Sequence, residues 1–280
     1  MKRVATIQDI SCIGKCSLTT ALPILSAAGI ETAVIPTAVL SAHTAFDSFT
    51  FHDMTDEIPK ISADWKKHKL SFDGIYTGYL GSVKQLEIVS QFFDDFNSDN
   101  TLTVIDPVMG DHGRLYSGFT NEFSNKMKGF CKKADIIVPN LTEASFLTDT
   151  EYKTSYTKNE VMELLKRLSD LCEGVSVLTG ISFDNQNLGI MSYNPNNNSF
   201  FEYFGKKSPE TFHGTGDIFA SSLCGALIND IPLNDSLKIA VDFTLECIHK
   251  TLADKEHVWY GVNFEQAIPY YIHLLNKNAC

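Results

Sequence analysis

The chain has 280 residues, 44% hydrophobic and 20% charged, a globular composition that excludes a disordered, collagen-like or coiled-coil protein. Thirty-four Asp and Glu against 23 Lys and Arg give a net charge of −11. A phosphate backbone repels such a chain unless its cations cluster, and the longest basic cluster is Lys66-Lys67-His68-Lys69, so nucleic acid is not an expected partner. No apolar run reaches the roughly 18 residues that span a bilayer, and the start, Met1 to Asp9, has no signal-peptide core, so no membrane partner is expected. Cys12, Cys16, Cys131, Cys172, Cys224, Cys247 and Cys280 are odd in number. They form no Cys-x-x-Cys pair and no zinc spacing, which predicts reduced thiols in a cytoplasmic protein, with Cys12 and Cys16 as buried small residues.

Short apolar runs alternate with helical patterns. Val4–Ile7 predicts a buried strand. Leu18–Ala28 predicts a helix that Gly29 ends and whose Pro23 must sit in the first turns or kink it. Thr32–Pro36 reads as a strand, Asp56–Lys69 as an amphipathic helix, Gly74–Tyr76 as a strand and Val83–Phe96 as a helix. Leu102–Ile105 reads as a strand, followed by a Gly-rich loop and a helix over Asn121–Cys131. Ile136–Val138 is a predicted strand, Thr142–Leu147 starts a helix, and Lys158–Leu171 is helical with apolar residues at 161, 164, 165 and 168. After the strand Val175–Leu178 the pattern changes. Leu188–Tyr193 and Phe200–Phe204 predict an antiparallel pair around the polar loop Asn194 to Ser199. Helices follow over Asp217–Ile228, Leu233–Thr251 and Phe264–Leu275. Repeated strand–helix units predict an α/β fold with a mostly parallel sheet covered on both faces, in a single domain over 1–280. Such sheets bind ligands beyond the carboxyl ends of their strands, so the residues after each strand are the candidates.

Six segments stand out there, two of them read together. His213-Gly214-Thr215-Gly216-Asp217 precedes an apolar helix; glycines permit close backbone approach, and unpaired amides at a helix start favour an anion. Asp217 would repel a phosphoryl group unless its task is to hold or deprotonate the attacking hydroxyl; the plainer reading is a helix cap. Asp106-Pro107-Val108-Met109-Gly110-Asp111-His112-Gly113 puts a carboxylate at a strand end, either to orient a metal-bound water near phosphates or as the start of a surface turn. Pro139-Asn140-Leu141-Thr142-Glu143 is a capping box or a polar pair beside a nucleotide and Mg²⁺. Ser41-Ala42-His43-Thr44 and Thr77-Gly78-Tyr79-Leu80-Gly81-Ser82 offer hydroxyls, an imidazole and a phenol suited to an aromatic polar substrate. Gln8-Asp9-Ile10-Ser11-Cys12-Ile13-Gly14-Lys15 ends in a pair that suggests phosphate binding, but the rest of a P-loop is absent.

The order Asp-Pro-Val-Met-Gly, Pro-Asn-x-x-Glu, Gly-Thr-Gly-Asp resembles the ribokinase superfamily. Ser-x-His-Thr and Gly-Tyr-Leu-Gly-Ser narrow the resemblance to its pyridoxal/pyridoxamine kinase branch, over about Val4 to Leu275. The resemblance implies a ribokinase-like three-layer α/β/α sandwich. No large lid domain is expected, since Ala38–Phe51 is too short for one. It implies a phosphotransferase that moves the γ-phosphoryl group of ATP to the 5′-hydroxymethyl group of pyridoxal, pyridoxamine or pyridoxine, in vitamin B6 salvage. By motif matching, Asp217 is the base, and the amides of Gly214, Thr215 and Gly216 form an anion hole. Asp106, Asn140 and Glu143 organise Mg²⁺ and its waters beside ATP, with Asp106 and Glu143 toward the metal. Thr179 and Thr215 lie on the nucleotide side. His43, Thr44 and Tyr79 line the pyridine ring, and the loop Gly110–Tyr116 closes over the site. ATP, Mg²⁺ and a monovalent cation such as K⁺ are the implied cofactors, and a homodimer the implied assembly.

One residue departs from the branch. Asp9 stands where pyridoxal kinases commonly carry a Ser that contacts the substrate ring, and Ser11, two residues on, is the candidate substitute. Asp9-x-Ser11 also resembles the Asp-Pro-Ser start of hydroxymethylpyrimidine kinases of thiamine biosynthesis, the alternative reading. Those enzymes usually have Gly-Thr-Gly-Cys where this chain has Asp217, and they lack Ser-x-His-Thr.

Overall fold

The structure, a computed structural model, describes residues 1–278; Cys280 lies outside the described residues. The chain divides into two compact units, Met1–Gly78 with Ser208–Cys280, and Tyr79–Lys207. The first opens with β1 (Arg3–Ser11), α1 (Leu18–Ala27), β2 (Glu31–Leu40), β3 (Phe51–Asp53), α2 (Ile58–Lys67) and β4 (Gly74–Thr77). The second holds α3 (Val83–Phe96), β5 (Leu102–Ile105), β6 (Gly110–Asp111), β7 (Arg114–Leu115), α4 (Asn121–Cys131) and β8 (Ile136–Ile137). It continues with α5 (Leu141–Thr148), α6 (Lys158–Cys172), β9 (Val175–Ile181), β10 (Asn187–Asn194) and β11 (Ser199–Lys206). The chain then returns to the first unit for α7 (Thr215–Ile228), α8 (Leu233–Ala253) and α9 (Phe264–Asn278).

In the first unit the strands lie in the order β4-β1-β2-β3, and in the second β11-β10-β9-β8-β5. The pairs β1–β2, β1–β4, β5–β8 and β8–β9 are parallel, while β3, β10 and β11 add antiparallel pairs. Both units are therefore the α/β class that alternating strand and helix patterns predict. The Leu18 helix ends as expected, with Gly29 left-handed at φ 77°; Pro23 is accommodated in the second turn of α1. Between β2 and α2 only the three-residue β3 forms, so the described residues there contain no lid sheet.

Hydrophobic burial fixes the helices that carry the chemistry. Ile24 of α1, Ile218 of α7, Phe243 of α8 and Tyr271 of α9 form one buried cluster. Burying a side chain of this size contributes about 1.5–3 kcal/mol, so α7 is held along its length rather than by a cap. The Tyr271 hydroxyl, buried among apolar groups, donates to the Ser222 carbonyl of α7 at 2.9 Å.

Several boundaries differ from the sequence reading, each for a physical reason. β1 continues through Asp9 to Ser11, so these residues lie on the strand rather than after it. Their side chains are buried and bonded to each other, which replaces the apolar alternation that marks a strand. β9 likewise runs past Leu178 and includes Thr179 and Gly180, and β4 includes Thr77. α7 starts at Thr215, two residues before Asp217. Cys12 is exposed, contrary to expectation, whereas Cys16 is buried. The six described cysteines form no disulfide.

Candidate active site

The first unit supplies a helix start and two carboxylates. Gly214 is the residue before α7 and is left-handed, φ 79°, with no side-chain cap on the helix. A Cβ there would meet the Lys15 carbonyl oxygen at 2.1 Å, so only glycine lets the chain turn this close to the loop after β1. The first α7 amides, including those of Thr215, Gly216 and Asp217, therefore lack intrahelical partners, and the helix dipole favours an anion before them. The Thr215 hydroxyl donates back to the Phe212 carbonyl at 3.3 Å.

Asp217 occupies the third position of α7. Burial pushes its carboxyl up to about 7, the Asp9 charge adds to that, and the Ser17 backbone N–H opposes it. Asp9 sits where the β1–β2 register shifts between Gln8 and Ile10; such bulges re-aim a side chain. The Ser11 hydroxyl donates to Asp9 Oδ2 at 3.0 Å. Burial raises the Asp9 carboxyl above the ordinary range, opposed by hydrogen bonds from Ser17 and Ser11. Asp9, Ser11 and Asp217 are thus brought together as one polar cluster.

His43 follows β2. Its amide donates to the Ile13 carbonyl at 2.7 Å, and its Nδ1 accepts from the Ala45 amide at 3.2 Å, so the neutral ring carries its proton on Nε2. Burial and then the neighbouring His213, whose ring centre is 4.9 Å away, hold His43 below the usual imidazole range. Thr44 is exposed beside it. His213 was not among the residues singled out by sequence; its only signal was adjacency to Gly214.

The second unit supplies a gripped loop at the ends of β5, β8 and β9. Asp106 follows β5 and is buried. The next residues form the β6–β7 ribbon, whose His112-Gly113 turn has φ 51° and 76°, the left-handed pair a tight hairpin requires. Asn140 and Glu143 make the predicted capping box on α5. They also hold the loop: the Met109 amide donates to Glu143 Oε1 at 3.1 Å, the Asn140 amide to Oε2 at 2.9 Å, and Asn140 Nδ2 to the Gly110 carbonyl at 2.9 Å. The Gly113 amide donates to the Thr142 hydroxyl at 2.9 Å. Thr179 bridges to Asn140, its amide donating to the Pro139 carbonyl at 3.1 Å. Tyr79, in this unit, packs on Phe119 at 5.6 Å. The capping box is therefore realised, and the same side chains hold the loop.

Mg²⁺ takes one or two carboxylates and completes its shell with water and substrate phosphates, not with a protein cage. No group of three or more His, Cys, Asp or Glu that could hold a metal occurs among the described residues. Asp106 has the donor chemistry for such an ion. Glu143 fits less well: both its oxygens already accept backbone amides, and burial pushes it up to about 8. Its geometry suits holding the loop.

That shift has a measurable consequence. A carboxyl whose folded value is raised contributes stability below its unfolded value of 4.5, and loses it as pH rises through about 8. The Tm of the protein without metal is expected to fall from pH 5 to pH 8, and Glu143→Gln to flatten that fall. An unchanged slope in the variant contradicts the assignment.

An uncapped helix start that favours an anion, a carboxyl poised near neutrality and a separate carboxylate-and-amide loop are parts that suit a small-molecule kinase. Residues 22–260 match the phosphomethylpyrimidine kinase family, and the chain belongs to it. The curated relatives it matches include pyridoxal kinases: that of Dictyostelium discoideum is 27% identical, covering 91% of this chain and 88% of its own, and that of Arabidopsis thaliana is 27% identical over 92% and 85%. A Bacteroides thetaiotaomicron protein, described provisionally as a phosphomethylpyrimidine kinase and crystallised with pyridoxal, is 40% identical with a TM-score of 0.92, covering 96% of this chain and 95% of that one. Pyridoxal kinase from Lactobacillus plantarum superposes with a TM-score of 0.91 at 26% identity over 100% of both chains. The α/β sandwich fold and membership of the branch read from the motifs are both borne out.

Proposed function

We propose that this protein is an ATP-dependent kinase of the vitamin B6 vitamers, acting on the 5′-hydroxymethyl group of pyridoxal, pyridoxamine or pyridoxine. The observation that carries the reading is Asp217: a carboxyl near neutrality at the start of an uncapped helix, in a chain whose curated relatives include pyridoxal kinases.

The mechanism follows from the residues. Asp217 accepts a hydrogen bond from the substrate hydroxyl and aligns its oxygen. The bond from that oxygen to the γ-phosphorus forms as the bond from phosphorus to the β,γ-bridging oxygen breaks, and ADP leaves. The proton passes to Asp217, late if the transition state is loose. A base near 7 suits neutral operation, because a substantial fraction is ionised there and it still accepts a proton readily. The amides of Gly214, Thr215 and Gly216 neutralise the charge on the transferred group. Asp106 would hold Mg²⁺, which would supply charge neutralisation to the phosphates. Asn140, Thr142 and Glu143 keep the 109–113 loop in shape beside the nucleotide, with Thr179 next to Asn140. His43, Thr44 and Tyr79 contact the pyridine ring.

The dimer, the reducing compartment and a requirement for K⁺ belong to the same reading. Phe49 and Phe51, 41% and 50% exposed just before and at the start of the outer strand β3, are the apolar surface that a second copy would cover; sedimentation at micromolar concentration is expected to give twice the chain mass. The unpaired cysteines suit a reducing cytoplasm.

The test is direct: incubation with ATP and pyridoxal is expected to yield pyridoxal 5′-phosphate and ADP, and absence of both contradicts the reading. Asp9 adds a specificity prediction. Its buried charge favours a cationic aminomethyl group, so Asp9→Ser is expected to lower the ratio of kcat/KM for pyridoxamine over pyridoxal. An unchanged ratio removes Asp9 from substrate recognition.

A further inference from the structure

The Gly14-Lys15 pair has no P-loop around it, and its ammonium is committed elsewhere. Lys15 and Ser17 are both left-handed, φ 46° and 49°, a conformation that non-glycine residues keep only where the surroundings impose it. Lys15 Nζ lies 2.9 Å from Glu265 Oε2, 3.2 Å from the Val262 carbonyl oxygen and 3.3 Å from Asn263 Oδ1. It also sits 5.8 Å from the centre of the Phe264 ring. Its stem packs on Gly261, where a Cβ would come within 2.5 Å of Lys15 Cβ. The receiving segment is itself tied down, since the Asn263 amide donates to the Thr251 hydroxyl at 2.7 Å and its side chain to Asp254 at 2.9 Å.

The same turn faces the candidate base on its other side. The Lys15 carbonyl lies against Gly214. Two residues on, the Ser17 backbone N–H is near enough to the Asp217 carboxyl to favour its charged form, and the Ser17 hydroxyl does the same for Asp9. A lone exposed ion pair contributes little. Here the ammonium meets three oxygens and an aromatic face, and what it secures is a conformation.

We propose that Lys15 is a positioning residue: clamped by Val262, Asn263 and Glu265, it imposes the Lys15–Ser17 turn that aims the Ser17 N–H at the Asp217 carboxylate. Its kinetic consequence rests on the kinase reading, whereas its structural consequence does not. The titratable groups that face Asp217 are Asp9 from β1 and the Cys16 thiol of the turn itself. Changing Lys15 leaves both groups chemically in place, and Cys16 moves only as part of the turn itself.

The test compares Lys15→Met and Lys15→Arg with wild type in pyridoxal turnover and in a ¹³C titration of the aspartate-labelled protein, with Asp217→Asn assigning the Asp217 signal. Lys15→Met is expected to lower kcat about 10- to 100-fold, the scale of a misaligned reacting group, with both KM values within about twofold. Its Asp217 midpoint moves up, because a donor to the charged form is lost. Lys15→Arg is expected to keep most of kcat and the wild-type midpoint. Should Lys15→Met fail to fold, Glu265→Gln removes the ion pair alone and is read the same way. A variant that lowers only Tm, with kcat and the midpoint unmoved, overturns the proposal. If wild type phosphorylates no vitamer, the kinase reading fails by itself, and the midpoint still decides: unmoved overturns the positioning role, moved upholds it.

Discussion

Asp217→Asn is expected to lower kcat for pyridoxal by about 10²- to 10⁴-fold, the usual range for removing a general base, with a much smaller change in KM for ATP. Asparagine keeps the shape of the side chain and its place at the third position of α7, so the amides before it are undisturbed. What it cannot do is accept the hydroxyl proton. The pH dependence separates this account from a capping role. Asp217 titrates near 7 in the fold because burial and the Asp9 charge oppose its ionisation. Turnover requires the ionised form, so wild-type kcat/KM is expected to fall below about pH 7, and the residual activity of the variant to lack that limb. Stability runs in the opposite direction. The raised carboxyl contributes stability below its ordinary value of 3.8 that is lost as pH rises through about 7. Asp217→Asn is therefore expected to raise Tm at pH 8 relative to wild type. A cap lost in place of a base would lower Tm and leave kcat nearly intact.

Gly214→Ala carries the second large effect. The added methyl would sit 2.1 Å from the Lys15 carbonyl oxygen, which is backbone in a turn held from both ends, and the residue must keep φ 79°. Backbone strain and overpacking cost about 1–3 kcal/mol each. Their sum lowers Tm by roughly 5–20 °C for a chain of this size. The loss in kcat is expected to reach 10²-fold or more, the scale of removing an oxyanion donor, because the turn can relieve the clash only by moving the amides proposed to meet the phosphoryl group. Gly216→Ala is the internal contrast for stability. A Cβ there meets nothing within 4 Å, and Ala is favoured over Gly in a helix by about 0.8–1 kcal/mol. Its Tm is expected to stay level or rise. Equal destabilisation by both changes contradicts the role given to the Lys15 contact. Differential scanning calorimetry and steady-state kinetics on the two variants check these outcomes.

The contrast between Gly214 and Gly216 also marks what was legible in the sequence. Gly-Thr-Gly-Asp before an apolar helix announced the candidate anion site, because the need for glycine and free amides is local. Asn140 with Glu143 was legible for the same reason: a capping box is three residues long. The antiparallel pair β10–β11 was betrayed by its turn, Asn194 to Ser199. Strand ends were less legible. Asp9 and Ser11 look like loop residues, and only the fold shows that they satisfy each other inside β1. The two-residue strands of the β6–β7 ribbon are too short for any periodicity to reveal. Lys15 was the least legible, since its partner Glu265 stands 250 residues away and the pair declares itself only after both β1 and α9 are placed. Thr142, which holds Gly113, was visible in the Pro-Asn-x-Thr-Glu run but had no local reason to be singled out.

The central claim is that this chain transfers a phosphoryl group to B6 vitamers and not to the hydroxymethylpyrimidine of the sister branch. Specificity is a ratio of kcat/KM values, so the most direct measurement is a competition: pyridoxal and hydroxymethylpyrimidine at equal concentration with limiting ATP and Mg²⁺, the two phosphorylated products being quantified in the initial-rate regime. Predominant formation of pyridoxal 5′-phosphate, abolished in Asp217→Asn, is the predicted result. Predominant formation of hydroxymethylpyrimidine phosphate would mean that Asp9-x-Ser11 outweighs His43-Thr44 in choosing the ring, and would contradict the assignment.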